Sequence, residues 1–170
     1  MIPIRAGVVT VSDKGHAGER KDVSGPLLAE LLCKIGAEVV RQEMVPDEQA
    51  EISRVLIEMA DEGQLDLIVT TGGSGLTPRD VTPEATLAVI EREAPGLAEA
   101  LRFEGYHRTP LAVLSRGVAG VRGRTLIVNL PGSPKAVREG METLSPILPH
   151  AVKMVRGEDT EHTGLKVSIA

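Results

Sequence analysis

Thr70–Glu84 reads TTGGSGLTPRDVTPE and follows Leu65–Val69, LDLIV. The apolar, β-branched character of LDLIV predicts a buried strand that runs into Thr70-Thr71 and stops at Gly72-Gly73. Gly75 adds a third flexible point. Thr82 is placed to cap a helix, with Pro83 at its first position and Glu84 in its first turn. The stretch therefore reads strand, glycine-rich loop, charged turn, helix start. Ligands of open α/β sheets bind beyond the carboxyl ends of strands, and glycines let backbone N–H groups approach an anion. A tight connection without a ligand fits the same residues. No Lys-Ser or Lys-Thr completes a Walker A loop, and Pro78 stands where GxGxxG requires its third glycine. Arg79-Asp80 adds a cation suited to phosphate and a carboxylate suited to a metal.

On the N-terminal side, Ile4–Val11 predicts a first buried strand ending in Ser12-Asp13. A polar loop, KGHAGERKDVSG, follows and is expected to be mobile. Ser24 is placed to cap a helix in which Leu27, Leu28, Leu31, Leu32 and Ile35 recur at helical spacing, and Gly36 ends it. Ala37–Val45 is a more polar strand, suited to an edge. Pro46-Asp47-Glu48 turns into a helix over Glu48–Glu62 with the stripe Ile52, Val55, Leu56 and Met59. On the C-terminal side the spacing predicts helices over Pro83–Arg92 and Leu97–Glu104, then a connection at Tyr106–Pro110. Leu111–Leu114 is expected to be buried. Arg124–Leu130, RTLIVNL, predicts another strand, Ser133-Pro134 opens a helix, and Ser145–Val155 predicts the last one. The segment from Gly157 is polar and then reads LKVSI, a short edge strand or a disordered end.

This βαβ order predicts a mostly parallel sheet with helices on both faces, a three-layer α/β/α arrangement. The loops Ser12–Ser24, Pro46-Asp47, Gly72–Asp80 and Leu130–Lys135 should then meet at one sheet edge. The 170 residues suit a single domain with a polar tail over 157–170, and 42% hydrophobic content supplies a core. Phe103 and Tyr106 are the only aromatics, so aliphatic residues must fill that core. A net charge of −5 and the lack of stacking platforms argue against a nucleic-acid partner. The N-terminal apolar run is too short for a membrane span and its flank too polar for a signal peptide, which points to a cytoplasmic protein. Cys33, the single cysteine, reads as a core residue, and no disulfide framework or cysteine-rich metal site exists.

Asp47 and Asp80 end two different strands. Each has an ordinary reading, a helix cap for Asp47 and a turn-stabilising carboxylate for Asp80. Together on one rim they also suit Mg2+, which takes one or two carboxylates plus substrate phosphates. Asp13 and Asp22 stand in a loop that reads as solvated. Ser115-Arg116 is either a polar turn or an anion contact. His16, His107, His150 and His162 lack a spacing signal and read as surface residues, so no Ser-His-Asp triad is indicated.

Three segments, VVTVSDKGHAGERKDVSGPLL, TTGGSGLTPRDVTPEAT and LSRGVAGVRGRTLIVNLPGSPKAV, together resemble the MogA/MoaB family of molybdenum-cofactor biosynthesis and the G domain of gephyrin. The resemblance runs from about Ile4 to Val155, with Ser74 where many relatives carry Thr. It implies a trimer, in some members a hexamer, and molybdopterin adenylylation: ATP plus molybdopterin gives adenylyl-molybdopterin and pyrophosphate with Mg2+. It implies catalytic and metal roles for Asp47 and Asp80. Gly72, Gly73, Ser74, Gly75, Ser115 and Arg116 would meet the substrate. Asn129, Pro131, Gly132, Ser133 and Pro134 would lie near the nucleotide. A non-catalytic pterin-binding or scaffolding member fits the same motifs.

Overall fold

The computed structural model describes residues 2–158, so the expectations for the tail beyond Glu158 fall outside the described residues. Among the described residues, six strands form one sheet: β1 (Ile4–Val11), β2 (Ala37–Val45), β3 (Leu67–Thr71), β4 (Arg92–Glu93), β5 (Ala119–Arg122) and β6 (Thr125–Leu130). Their spatial order is β2-β1-β3-β6-β5-β4. The first four in that order are parallel, and β5 and β4 continue the sheet through antiparallel pairings. The polar second strand lies at an edge, as its composition predicts.

Parallel strands covered on both faces read as continuous apolar runs rather than alternating ones, which explains β1, β3 and β6. In β1, Ala6 and Val8 face one side while Val9 and Val11 face the other. The first side is covered by α2 (Ser24–Lys34), α5 (Pro95–Arg108), α6 (Pro134–Leu144) and α7 (Leu148–Arg156). Leu28, Leu32, Met141, Leu144 and Val152 fill that layer. The second is covered by α3 (Gln49–Ile57) and α4 (Thr82–Leu87), through Ile52, Val55, Leu56 and Ala85. The fold is a three-layer α/β/α sandwich, as expected. Truncating a core residue such as Leu28, which is fully buried, should cost about 2–5 kcal/mol.

Several expectations change. The helix expected to reach Arg92 ends at Leu87, and the next runs from Pro95 to Arg108, so Tyr106 and His107 are helical. Pro95 does not merely break the chain but starts α5 from its first turn, where its missing N–H has no cost. Leu111–Leu114 belongs to a 3-10 turn, Pro110–Leu114, and is not buried; Leu111 is 71% exposed. Cys33 is exposed on α2 rather than in the core. The helix over Glu48–Glu62 is α-helical to Ile57 and π-helical over Glu58–Glu62.

The register places the carboxyl ends of the parallel strands together: Val11 lies beside Val45, Thr10 beside Thr71, and Thr71 beside Leu130. From β1 the chain steps outward to β2, then back across to β3. The loops after β1 and β3 therefore diverge at a topological switch point, where such sheets bind ligands.

Candidate active site

The glycine loop begins where β3 leaves the sheet. Gly72 and Gly73 have φ of 99° and 65°, a left-handed conformation that favours glycine. Space demands glycine as well. A Cβ at Gly72 would collide with the Val11 carbonyl, and one at Gly73 with Thr82 Oγ1 while lying 3.0 Å from Asp47 Oδ1. Gly132, after β6, also comes close, since a Cβ there would lie 3.2 Å from Gly72 Cα. The strand-end loops thus touch, as the parallel order predicts.

Thr82 and Asp47 are not the caps their positions suggest. Thr82 is already helical, and its hydroxyl donates to the Gly72 carbonyl at 2.9 Å, tying α4 back to the glycine loop. Asp47 precedes the α3 cap position, and its Oδ2 accepts the Asp13 N–H at 2.8 Å. Asp13 Oδ1 in return accepts the Asp47 N–H at 3.0 Å. Asp13 begins a short helix, α1 (Asp13–His16), capped by Ser12. Arg79 grips Asp13 with two nitrogens at 3.0 Å each and reaches Glu48 at 2.8 Å. The loop expected to be solvated therefore supplies an organising carboxylate. Asp22, in the same loop, accepts from Thr10 Oγ1 and from the Gly25 N–H. Ser24, expected as a cap, instead donates to the Gly132 carbonyl at 2.7 Å.

The two rim carboxylates differ in setting. Burial pushes the Asp47 carboxyl above its usual range, and the negative charges of Asp13 and Asp80 add to that, against the opposing Asp13 N–H and the Arg79 charge. The Arg79 hydrogen bonds hold Asp13 below its usual value, helped by the Asp47 N–H. Asp80 Oδ2 accepts from both the N–H and the hydroxyl of Thr77, at 2.9 and 2.8 Å, so it does close a turn. It also stands against the glycine loop: a Cβ at Gly75 would lie 2.9 Å from Asp80 Oδ2. Among the described residues, no three His, Cys, Asp or Glu side chains converge into a metal cage. A divalent ion here would depend on a carboxylate pair plus substrate oxygens, the usual donor set of Mg2+.

Beside the loop lies a cavity of about 350 Å3. Ser74, Gly75, Ser115, Asn129, Pro131 and Ser133 line its sheet side, and α5, the 3-10 turn and α6 close it with mostly apolar residues. A concave, largely apolar site with a few polar groups at one end is the usual form of a small-molecule pocket. Gly72, Gly73 and Gly132, at the adjoining strand ends, and Pro134, at the start of α6, lie outside the cavity lining. Ser133 caps α6 by accepting the Ala136 N–H, with Pro134 in the first turn, as predicted. Asn129 is buried, and its amide donates to Thr70 and Thr86 hydroxyls at 3.0 Å each. Arg102 of α5, which carries no local motif, donates to the Gly117 carbonyl at 2.8 Å and so steadies the Ser115 loop.

The chain matches, over residues 7–150, the family described as the probable molybdopterin binding domain. It is 42% identical to the molybdopterin adenylyltransferase of Helicobacter pylori strain J99, over 92% of this chain and 90% of that protein. It is 44% identical to the enzyme of the same name from Escherichia coli K12, over 84% of this chain and 74% of that protein. The molybdenum cofactor synthesis protein cinnamon of Drosophila melanogaster is 46% identical over 94% of this chain, which spans only 26% of that longer protein. Among solved structures, the molybdopterin biosynthesis enzyme MoaB of Thermus thermophilus superposes with a TM-score of 0.87 at 54% identity, over 93% of this chain and 99% of that one. On the extent of these matches, the chain belongs to the family of probable molybdopterin binding domains.

Proposed function

We propose that this chain is a molybdopterin adenylyltransferase. The observation that carries the reading is the meeting of Asp47, Asp80 and the glycine loop beside a 350 Å3 cavity, in a chain 42–44% identical to enzymes of that name. A terminal phosphate oxygen of molybdopterin would attack the α-phosphorus of ATP, and the bond to the pyrophosphate leaving group would break. Such a transfer needs positioning and charge neutralisation more than covalent help from the protein. Residues Gly72–Gly75 bring backbone close to the phosphates, and Ser115 offers a hydroxyl from the cavity wall. The segment Asn129–Pro134 would flank the nucleotide. Asp47 and Asp80 would hold Mg2+, and their mutual repulsion at a half-buried rim is what a divalent cation relieves. Bound there, Mg2+ would neutralise charge on the triphosphate. Lys135, at the start of α6, would add positive charge near the nucleotide segment, while the charge of Arg79 is already shared with Asp13 and Glu48.

Pyrophosphate release from ATP, Mg2+ and molybdopterin tests the reading. Release that stops in excess chelator is the expected result. Molybdopterin binding without release would instead identify a pterin-binding or scaffolding member.

Exposed apolar residues support self-association. Both aromatics, Phe103 and Tyr106, are exposed on α5 at 65% and 54%, and Leu111 is exposed in the turn that follows. Phe103 and Tyr106 stand three residues apart on one helix and so share a face that a second copy would cover. A homotrimer, or a hexamer built from two, is the expected species in sedimentation, and a monomer at working concentration would contradict it. No helix among the described residues is long and apolar enough to cross a membrane, and ATP as co-substrate fits a cytoplasmic enzyme.

A further inference from the structure

Arg116 follows Ser115 in the loop between the 3-10 turn and β5. Its surroundings are not those of a side chain waiting for an anion. The Arg116 N–H donates to the Ser74 carbonyl at 2.8 Å. Its Nε donates to the Gly75 carbonyl and its Nη2 to the Asp80 carbonyl, both at 2.7 Å. Its Nη1 pairs with Glu84 in the first turn of α4. All three guanidinium nitrogens are thus committed to protein acceptors spread over the glycine loop and the helix that follows it. The loop's other bonds lead elsewhere: the turn Thr77–Asp80 closes on itself, Thr82 N–H returns to the Gly73 carbonyl, and Arg79 reaches out to Asp13 and Glu48, whereas Arg116 ties the loop to the Ser115 segment.

The residue on each side of this grip faces the candidate site. Ser115 lines the cavity together with Ser74 and Gly75. Asp80 carries the rim carboxylate. We infer that Arg116 is a positioning residue, which fixes the spacing between the cavity wall at Ser115 and the carboxylate loop at Asp80, and does not itself bind phosphate. The inference rests on the adenylyl-transfer reading for its catalytic consequence, but the bracing itself is independent of which reaction occurs. A lysine would keep the charge but cannot satisfy three divergent acceptors, because its donors share one nitrogen rather than a planar fork.

Arg116→Lys, Arg116→Ala and Glu84→Gln separate a brace from an anion contact. Two quantities are measured on each full-length variant: steady-state pyrophosphate release with ATP, Mg2+ and molybdopterin, and hydrogen exchange of the Thr77 and Asp80 amides. If Arg116 braces the loop, Arg116→Lys falls in kcat about as far as Arg116→Ala, by roughly tenfold or more, while KM for ATP moves by less than about threefold. The two amides exchange faster in both variants, and Glu84→Gln gives a smaller change in the same direction. If Arg116 binds phosphate, Arg116→Lys retains most of kcat, KM for ATP rises, and exchange at Thr77 and Asp80 is unchanged; that pattern overturns the inference. Should Arg116→Ala not fold, Arg116→Lys and Glu84→Gln still carry the comparison. Wild-type protein without pyrophosphate release would reject the adenylyl-transfer reading, and the exchange measurement would then judge the brace alone.

Discussion

Asp13 and Asp47 exchange hydrogen bonds: each carboxylate accepts the other's backbone N–H, at 3.0 and 2.8 Å. The pair joins the carboxyl end of β1 to that of β2 and leaves Asp47 Oδ1 beside Gly73. Arg79 locks Asp13 from the glycine loop. Three strand-end loops are therefore held by one carboxylate that no helix or sheet requires.

Asp13→Ala removes the acceptor for the Asp47 N–H and releases Arg79. The Asp13 side chain is 42% exposed, so screening limits the ion-pair loss, and a cost of about 1 kcal/mol is expected. Pyrophosphate release should fall further than stability explains, because the Asp47 peptide is no longer fixed. Asp13→Asn keeps an oxygen acceptor and should retain more of both. Urea denaturation and turnover on the same preparations decide it; equal turnover in the two variants would remove Asp13 from the site.

Asp80→Asn keeps an oxygen for Thr77 while removing the negative charge. Because the turn bonds at 2.8 and 2.9 Å survive in kind, stability should change by less than about 1 kcal/mol. Turnover should drop by about two orders of magnitude or more if the charge holds Mg2+ or orients the triphosphate. A folded variant with near wild-type pyrophosphate release would reduce Asp80 to its turn.

Among the described residues, Ser115 Oγ makes only a long contact, accepting the Gly117 N–H at 3.3 Å. Ser115→Ala should therefore leave the melting temperature nearly unchanged. A lost hydrogen bond to a charged group is worth about 1.5–3 kcal/mol, or roughly ten- to a hundredfold in rate. Kinetics at limiting molybdopterin that match the wild type would reject its contact with substrate.

At the opposite end of the sheet, Arg156 binds both oxygens of Asp66 at 2.9 and 2.6 Å, and the Arg5 N–H adds a third bond at 2.8 Å. Burial pushes the Asp66 carboxyl up, but the Arg156 and Arg5 hydrogen bonds outweigh it and leave it below the usual value. A depressed carboxyl stabilises the fold fully above its unfolded value of about 3.9 and loses that contribution as pH falls through the lower folded value. Asp66→Asn should cost about 2 kcal/mol at neutral pH, and its deficit against the wild type should shrink only below about pH 4. Denaturation at a series of pH values measures this; a deficit that stays constant into strong acid would show that charge is not the cause.

Features governed by neighbours in sequence were legible without the fold. Ser133 caps α6 three residues away, Gly36 ends α2 in a left-handed turn, and the apolar runs of β1, β3 and β6 announce strands buried on both faces. Those runs and their order sufficed for the three-layer sheet and for loops meeting at one edge. The antiparallel β4 and β5 escaped because they have two and four residues, too few to show a period, and exist only by pairing within the sheet that β6 extends. Leu111–Leu114 is apolar for reasons local pattern cannot supply, since burial depends on what else packs there. Thr82, Ser24 and Asp47 looked like caps because their chemistry permits it locally. Tertiary structure reassigned each to a distant partner, Thr82 to Gly72, Ser24 to Gly132 and Asp47 to Asp13. A short polar side chain bonds whichever donor or acceptor the packed layers bring nearest, and only chain folding determines which one that is.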